Sequence, residues 1–93
     1  MHLSAKEIKK LLKNYYTYKV SISGASAESH LKRKLDALDR AVAALDEESK
    51  QIVDLVFYKR QSVENVALIL SYSRSTLYYR VNIILDELSF MVG

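Results

Sequence analysis

The sequence has no cysteine, and its 93 residues include only two glycines and two histidines. Without cysteine the chain has no disulfide framework, no thiol nucleophile and no thiolate metal site, which fits a reducing cytoplasm. Gly24 and Gly93 do not form a glycine-rich phosphate loop. His2 and His30 lack the spacing of a metal-binding pair. We therefore expect no metal, no cofactor and no enzymatic activity.

Long apolar runs are also missing, and no stretch approaches the length of a transmembrane helix. The first twenty residues are lysine-rich and amphipathic, without the apolar core of a signal peptide. We expect a soluble, cytoplasmic protein without a membrane partner. Because nearly half of the residues are hydrophobic, the length suits one compact domain with a modest core.

The stretch from Ser62 to Val81 predicts two helices joined by a very short turn. Ser62 can cap the first helix, and apolar residues at i, i+3, i+4 and i+7 give it one apolar face: Val63, Val66, Ala67 and Leu70. The pattern breaks at 71–73. Ser73 can cap a second helix, whose inward positions are Leu77, Val81, Ile84 and Leu88. This is the pattern of a helix-turn-helix, in which the second helix enters the DNA major groove.

The outward face of that second helix favours contact with DNA. It carries Arg74, Ser75, Thr76, Tyr78, Tyr79 and Asn82, and no Glu or Lys occurs between Arg74 and Leu85. Such side chains meet base edges, thymine methyl groups and phosphates. Exposed Tyr and Arg are also typical of protein interfaces, so a protein-docking helix is the alternative.

The charge distribution opposes a purely DNA-binding C-terminal half. Residues 1–45 carry nine Lys or Arg against four Asp or Glu, a net +5, whereas residues 46–93 carry five against seven, a net −2. Duplex binding depends on neutralised phosphates. Either the lysines of the first half assist, or a second copy or a larger partner supplies affinity.

The remaining segments predict further helices, about five in an all-α protein. A capping box at Ser4 starts a helix that runs to about Lys19, and residues 20–27 form a connector. A helix over 27–45, with Ser26 as its cap, has a heptad-like seam that favours packing within the chain over a dimer contact. A helix starting at Asp46 ends near Lys59 and Arg60, whose charges can meet a phosphate or simply be solvated. The N-terminal helices thus span 1–45 and the DNA-binding module 46–93.

Residues 45–88 resemble a known pattern: LDEESKQIVDLVFYKRQSVENVALILSYSRSTLYYRVNIILDEL. The acidic opening at Leu45–Glu48, the S-x-E-x-V-A-x-x-L run at Ser62–Leu70 and S-R-S-T at Ser73–Thr76 carry the resemblance. This half of the chain is similar to region four of bacterial sigma factors and, more closely, to ArpU/RinA-type phage transcriptional regulators. The family usually has glycine where Ser71 stands, which implies a left-handed backbone there.

The resemblance implies a phage or prophage regulator that reads the major groove and acts with the host RNA polymerase. It makes Arg74, Ser75, Tyr78 and Tyr79 the groove-facing residues, with Ser73 and Thr76 near phosphates. Two other functions are compatible with the sequence. One is a DNA-recognition subunit of a packaging terminase, which assembles into a ring. The other is a protein-binding adaptor that mimics a sigma module, which the acidic balance of residues 46–93 favours.

Overall fold

A computed structural model of the chain describes residues 3–23 and 30–92, with Ser23 described by its backbone alone. These residues form six α-helices and no strand, which confirms the all-α class but gives one helix more than expected. The helices are α1 (Ala5–Lys13), α2 (Tyr15–Ser23), α3 (His30–Ala43), α4 (Glu47–Val53), α5 (Val63–Leu70) and α6 (Arg74–Val92). A π-helical turn (Asp54–Tyr58) continues α4.

The predicted N-terminal helix is divided at Asn14 into α1 and α2. Asn14 leaves the helical backbone at φ −110° and ψ 22°, and its side-chain amide donates to the Lys10 carbonyl at 3.0 Å. The prediction of a connector beginning at residue 20 is wrong, since α2 continues to Ser23. The reason is tertiary packing: Tyr15, Tyr18 and Ile22 form a helical stripe against the core, which overrides the low helix propensity of β-branched residues. The predicted cap at Ser26 lies outside the described residues.

Four predicted N-caps are confirmed by side-chain hydrogen bonds to the third residue beyond each cap. Ser4 begins α1, and its hydroxyl accepts from the Glu7 N–H at 3.2 Å. The other bonds run from the N–H groups of Ser49, Asn65 and Thr76 to the side chains of Asp46, Ser62 and Ser73, at 2.7, 3.2 and 3.1 Å. Each cap satisfies a backbone donor that the helix leaves unpaired.

The core is built mainly from α1, α3 and α6, with α4 and α5 closing one end. Its fully buried residues are Leu3, Ile8, Leu12, Leu35, Leu38, Ile52, Val53, Val66, Leu77 and Leu88. The seam of α3 packs into this core, as predicted, rather than remaining exposed along its length. Tyr15 covers one edge, where its hydroxyl donates to Asp39 at 2.7 Å and its ring lies 4.7 Å from that of Tyr58.

The C-terminal half of α6 packs on the N-terminal helices. Ile84, Leu85 and Leu88 are buried, and the Ser89 hydroxyl donates to the Leu3 carbonyl. The start of α1 therefore lies beside the end of α6, and the two helices run antiparallel. Met91 near the end of α6 is 39% exposed, although the following residue, Val92, packs against the core.

The segment that follows α4 contains a π-helical turn and a buried phenylalanine. The Lys59 N–H donates to the Asp54 carbonyl at 2.7 Å, five residues earlier. Phe57 lies four residues after the buried Val53 and is itself part of the core, so the inward face of α4 continues through this turn.

Candidate nucleic-acid interface

A three-residue connection joins α5 to α6, and Ser71 adopts the left-handed conformation there. Its φ and ψ are 60° and 38°, as the resemblance implied for the position of the usual glycine. The Tyr72 N–H donates to the Ala67 carbonyl at 2.9 Å, and the Ser71 N–H to the Leu68 carbonyl at 3.3 Å. These two bonds form the Schellman arrangement that ends many helices. The direction of α6 relative to α5 is therefore fixed by the backbone itself.

The first three turns of α6 have a buried face and an exposed face. Leu77 is completely buried and Val81 is partly buried, so α6 is held against the core on this side. All six side chains that the sequence placed outward are exposed: Arg74, Ser75, Thr76, Tyr78, Tyr79 and Asn82. Tyr78 and Tyr79 expose 49% and 67% of their surfaces, which leaves both rings accessible to a partner.

Arg74 reaches back to α5, where its guanidinium lies 3.1 Å from the Glu64 carboxylate. Both side chains are about 60% exposed, at 63% and 60%. Exposed ion pairs of this kind contribute at most about 1 kcal/mol. Arg74 is therefore oriented along the exposed surface in the free protein, and a competing anion can displace Glu64 at small cost.

Arg80 is a second arginine of this region and was not among the predicted site residues. Its guanidinium lies 3.4 Å from Glu48 of α4 and 5.7 Å from the centre of the Tyr72 ring. The Tyr72 hydroxyl donates to the same Glu48 carboxylate. This cluster connects the turn, α4 and α6 on the flank opposite Tyr78, and the carboxylate neutralises Arg80.

Ser73 and Thr76 are hydrogen-bonded to each other at the start of α6. The Ser73 hydroxyl accepts from the Thr76 N–H and donates to the Thr76 hydroxyl at 2.9 Å. The two residues thus build the helix cap, and their exposed oxygens border the first turn. Their position beside Arg74 remains compatible with a phosphate contact.

Lys59 and Arg60 are exposed but are not joined to α6 by any hydrogen bond or ion pair in the part of the chain that the structure describes. Lys59 pairs with Asp54 at 3.2 Å. Arg60 has a left-handed backbone with φ 54°, which ends the helical segment that began at Glu47. These two predicted site residues are therefore not bonded to the group on α6 within the described chain.

A groove between α1 and α6 adds two lysines to the exposed face. Lys9 and Lys13 form part of its lining together with Tyr78 and Asn82, and Phe57 lies in its apolar floor. The basic charge of residues 1–45 predicted help from N-terminal lysines, but the sequence does not show which ones, because the groove joins residues more than sixty positions apart. The α1 helix repeat places Lys9 and Lys13 on one flank, which is the only sequence signal for this pair.

Other kinds of site find little support among residues 3–23 and 30–92. No three His, Cys, Asp or Glu side chains in these ranges cluster as metal ligands, and no helix there is long and apolar enough to cross a membrane. Burial raises the pKa of the Tyr58 hydroxyl well above its usual value, which keeps it protonated where its ring packs against Tyr15.

Comparison of the chain with protein-family models, curated proteins and solved structures finds no significant match.

Proposed function

We propose that the chain is a sequence-specific DNA-binding regulator of transcription, in which α5 and α6 act as a helix-turn-helix. The observation that carries this proposal is the exposed face of α6. It holds an arginine, two tyrosines, an asparagine and small hydroxyl residues within nine positions, on a helix anchored from behind by Leu77. A solvated helix face rarely has this composition, whereas a helix that reads base edges needs it.

The length and chemistry of this face suit the major groove. From Arg74 to Asn82 the helix rises about 12 Å, which is comparable to the width of the groove. In the proposed complex, Arg74 donates two hydrogen bonds to a guanine and Asn82 pairs with an adenine edge. Tyr78 and Tyr79 contact thymine methyl groups or phosphates, and Ser75 adds a hydroxyl at the helix start.

The ion pairs of the free protein set the expected strength of binding. Glu64 and Glu48 neutralise Arg74 and Arg80, so the α5–α6 region attracts phosphates weakly before contact. When a guanine displaces the Glu64 carboxylate, Arg74 exchanges an exposed ion-pair partner for a desolvated partner that accepts two hydrogen bonds. We therefore expect modest non-specific affinity and a larger gain at the correct sequence.

Selection of bound fragments from a random genomic library, read by sequencing, would identify the site, and gel shifts would then measure variants. We expect Arg74→Ala to weaken binding at that site by about 1–3 kcal/mol, or roughly 5- to 150-fold. Arg33→Ala is the matched control, because Arg33 is exposed on α3 and is not among the residues that line the groove beside Tyr78 and Asn82. If Arg74→Ala and Tyr78→Ala both leave the gel shift unchanged, α6 does not read DNA.

The resemblance to ArpU/RinA-type regulators further suggests a phage or prophage role alongside the host RNA polymerase. A protein-binding adaptor is the second candidate function, and exposed apolar side chains favour it. Leu68 is 80% exposed and Phe90 is 86% exposed, and both lie outside the proposed DNA-reading turns. An adaptor would retain polymerase subunits in a pull-down while showing no salt-dependent affinity for DNA.

A further inference from the structure

The antiparallel packing of α1 and α6 brings two lysines beside the proposed DNA-reading residues. The start of α1 lies at the end of α6 through Leu3 and Ser89, so the end of α1 reaches back toward the first turns of α6. There Lys9 and Lys13 line the same groove as Tyr78 and Asn82. The two lysines are one helical turn apart, about 6 Å along α1, which corresponds to about two base-pair steps of DNA.

The charges around this groove are of one sign. No acidic side chain is among the described residues that line it. Both lysines are exposed, and no ion pair holds either of them within the described chain, whereas Lys34 on the neighbouring helix pairs with Glu7 at 2.9 Å. Arg74 and Arg80, by contrast, are each neutralised by a carboxylate. The available positive charge beside the exposed face of α6 therefore comes from α1.

We propose that α1 is the phosphate-binding flank of the DNA surface, and that Lys9 and Lys13 neutralise backbone phosphates on the strand beside α6. This inference rests on the proposed function and specifies which part of the DNA each helix contacts. Lysine ammonium groups on flexible stems bind phosphates as point charges and carry no sequence information. Lys9 and Lys13 thus supply affinity, while Arg74 and Asn82 supply specificity.

The DNA-binding unit then includes α1 as well as α5 and α6. Residues 46–93 alone carry a net charge of −2. Two lysines from α1 compensate for this charge at the place where the duplex would lie. A helix-turn-helix without α1 would have the reading residues but would lack the phosphate contacts that keep a duplex close.

The test is the salt dependence of binding by the full chain, measured by fluorescence anisotropy on the selected duplex and on a scrambled one. Each phosphate contact contributes about 0.9 to the slope of log K against log salt, so Lys9→Gln with Lys13→Gln should reduce its magnitude by about 1.8. At 0.1 M salt this corresponds to an affinity roughly 10- to 100-fold lower on both duplexes. The ratio between the two duplexes should not change.

Two control variants separate this effect from loss of total charge and from damage to the fold. Arg33→Gln with Arg40→Gln removes the same charge from exposed positions on α3 and should leave the slope within error of the wild-type value. Lys9→Arg with Lys13→Arg keeps the charge and should keep the slope. A purely structural role of the lysines would alter thermal stability but not the salt slope.

The two proposals fail in different ways. If the wild-type chain binds DNA and Arg74→Ala weakens it, but the slope of the Lys9/Lys13 double variant matches that of the Arg33/Arg40 control, α1 is not a phosphate-binding flank. The proposed function then stands without it. If the wild-type chain has no salt-dependent affinity for any duplex, the proposed function fails, and this inference fails with it.

Discussion

Replacing Ser71 by glycine should stabilise the protein, although the substitution removes a side chain from the connection between α5 and α6. Ser71 holds φ 60° and ψ 38°, a conformation in which its Cβ atom crowds the following carbonyl oxygen. The left-handed backbone costs an ordinary residue about 1–2 kcal/mol. Glycine avoids this cost because it has no Cβ atom.

The net gain is smaller than the strain that is relieved. Glycine also enlarges the conformational freedom of the unfolded chain, which costs about 0.4–1 kcal/mol. Ser71 is exposed, and no hydrogen bond of its hydroxyl is found among the described residues, so little else is lost. We expect Ser71→Gly to raise the free energy of unfolding by about 0.5–1 kcal/mol, which corresponds to a Tm roughly 2–8 °C higher.

Thermal and urea unfolding followed by circular dichroism would measure this change. Ser75→Gly is a matched control, because the same substitution falls on an exposed, right-handed position in the first turn of α6. Helix propensity predicts that it lowers stability by roughly 0.5 kcal/mol. If Ser71→Gly lowers the Tm as Ser75→Gly does, Ser71 does not hold the left-handed conformation in solution.

Two further substitutions test how α6 and α4 are held in place. Leu77→Ala removes a completely buried side chain behind the exposed face of α6 and should cost about 2–5 kcal/mol in urea unfolding, whereas Leu68→Ala, at an 80% exposed site, should stay within about 0.5 kcal/mol. Equal effects would mean that α6 is not anchored through Leu77. The Ser49 N–H lowers the pKa of the Asp46 carboxyl, so this carboxylate stabilises the fold above the usual pKa near 4. Asp46→Ala should therefore be less stable than wild type at pH 7, and the difference between their urea midpoints should shrink as the pH falls below about 4. A difference that stays constant with pH would show that charge on Asp46 does not matter.

Local chemistry in the sequence was sufficient to predict the helix starts and the exposed face of α6. A short side chain with an oxygen atom directly before an amphipathic run typically caps the helix that follows. This pattern occurs at Ser4, Asp46, Ser62 and Ser73. The spacing of Leu77 and Val81 identified the inner face of α6, which left Arg74 and its neighbours outside. These features depend on residues three or four positions apart, which a sequence displays directly.

Features that depend on tertiary packing could not be predicted in the same way. Asn14 breaks the first helix through its own backbone conformation, and nothing in the apolar repeat marks that break. The π-helical turn over Asp54–Tyr58 depends on a hydrogen bond between residues five positions apart, and the sequence gives no clear signal of it. The groove that joins Lys9 and Lys13 to α6 arises from helix packing across most of the chain, and no local pattern encodes it.

The most direct test of the central claim is an NMR titration of the full chain with a short duplex DNA at low salt. Weak, non-specific binding is sufficient for this experiment, because fast exchange shifts the resonances of the contacted residues. We predict that the largest changes map to the amides of residues 73–82 and to the side chains of Lys9 and Lys13. The account would be contradicted by a spectrum that does not change, or by changes confined to surfaces away from the start of α6, such as those around Leu68 and Phe90.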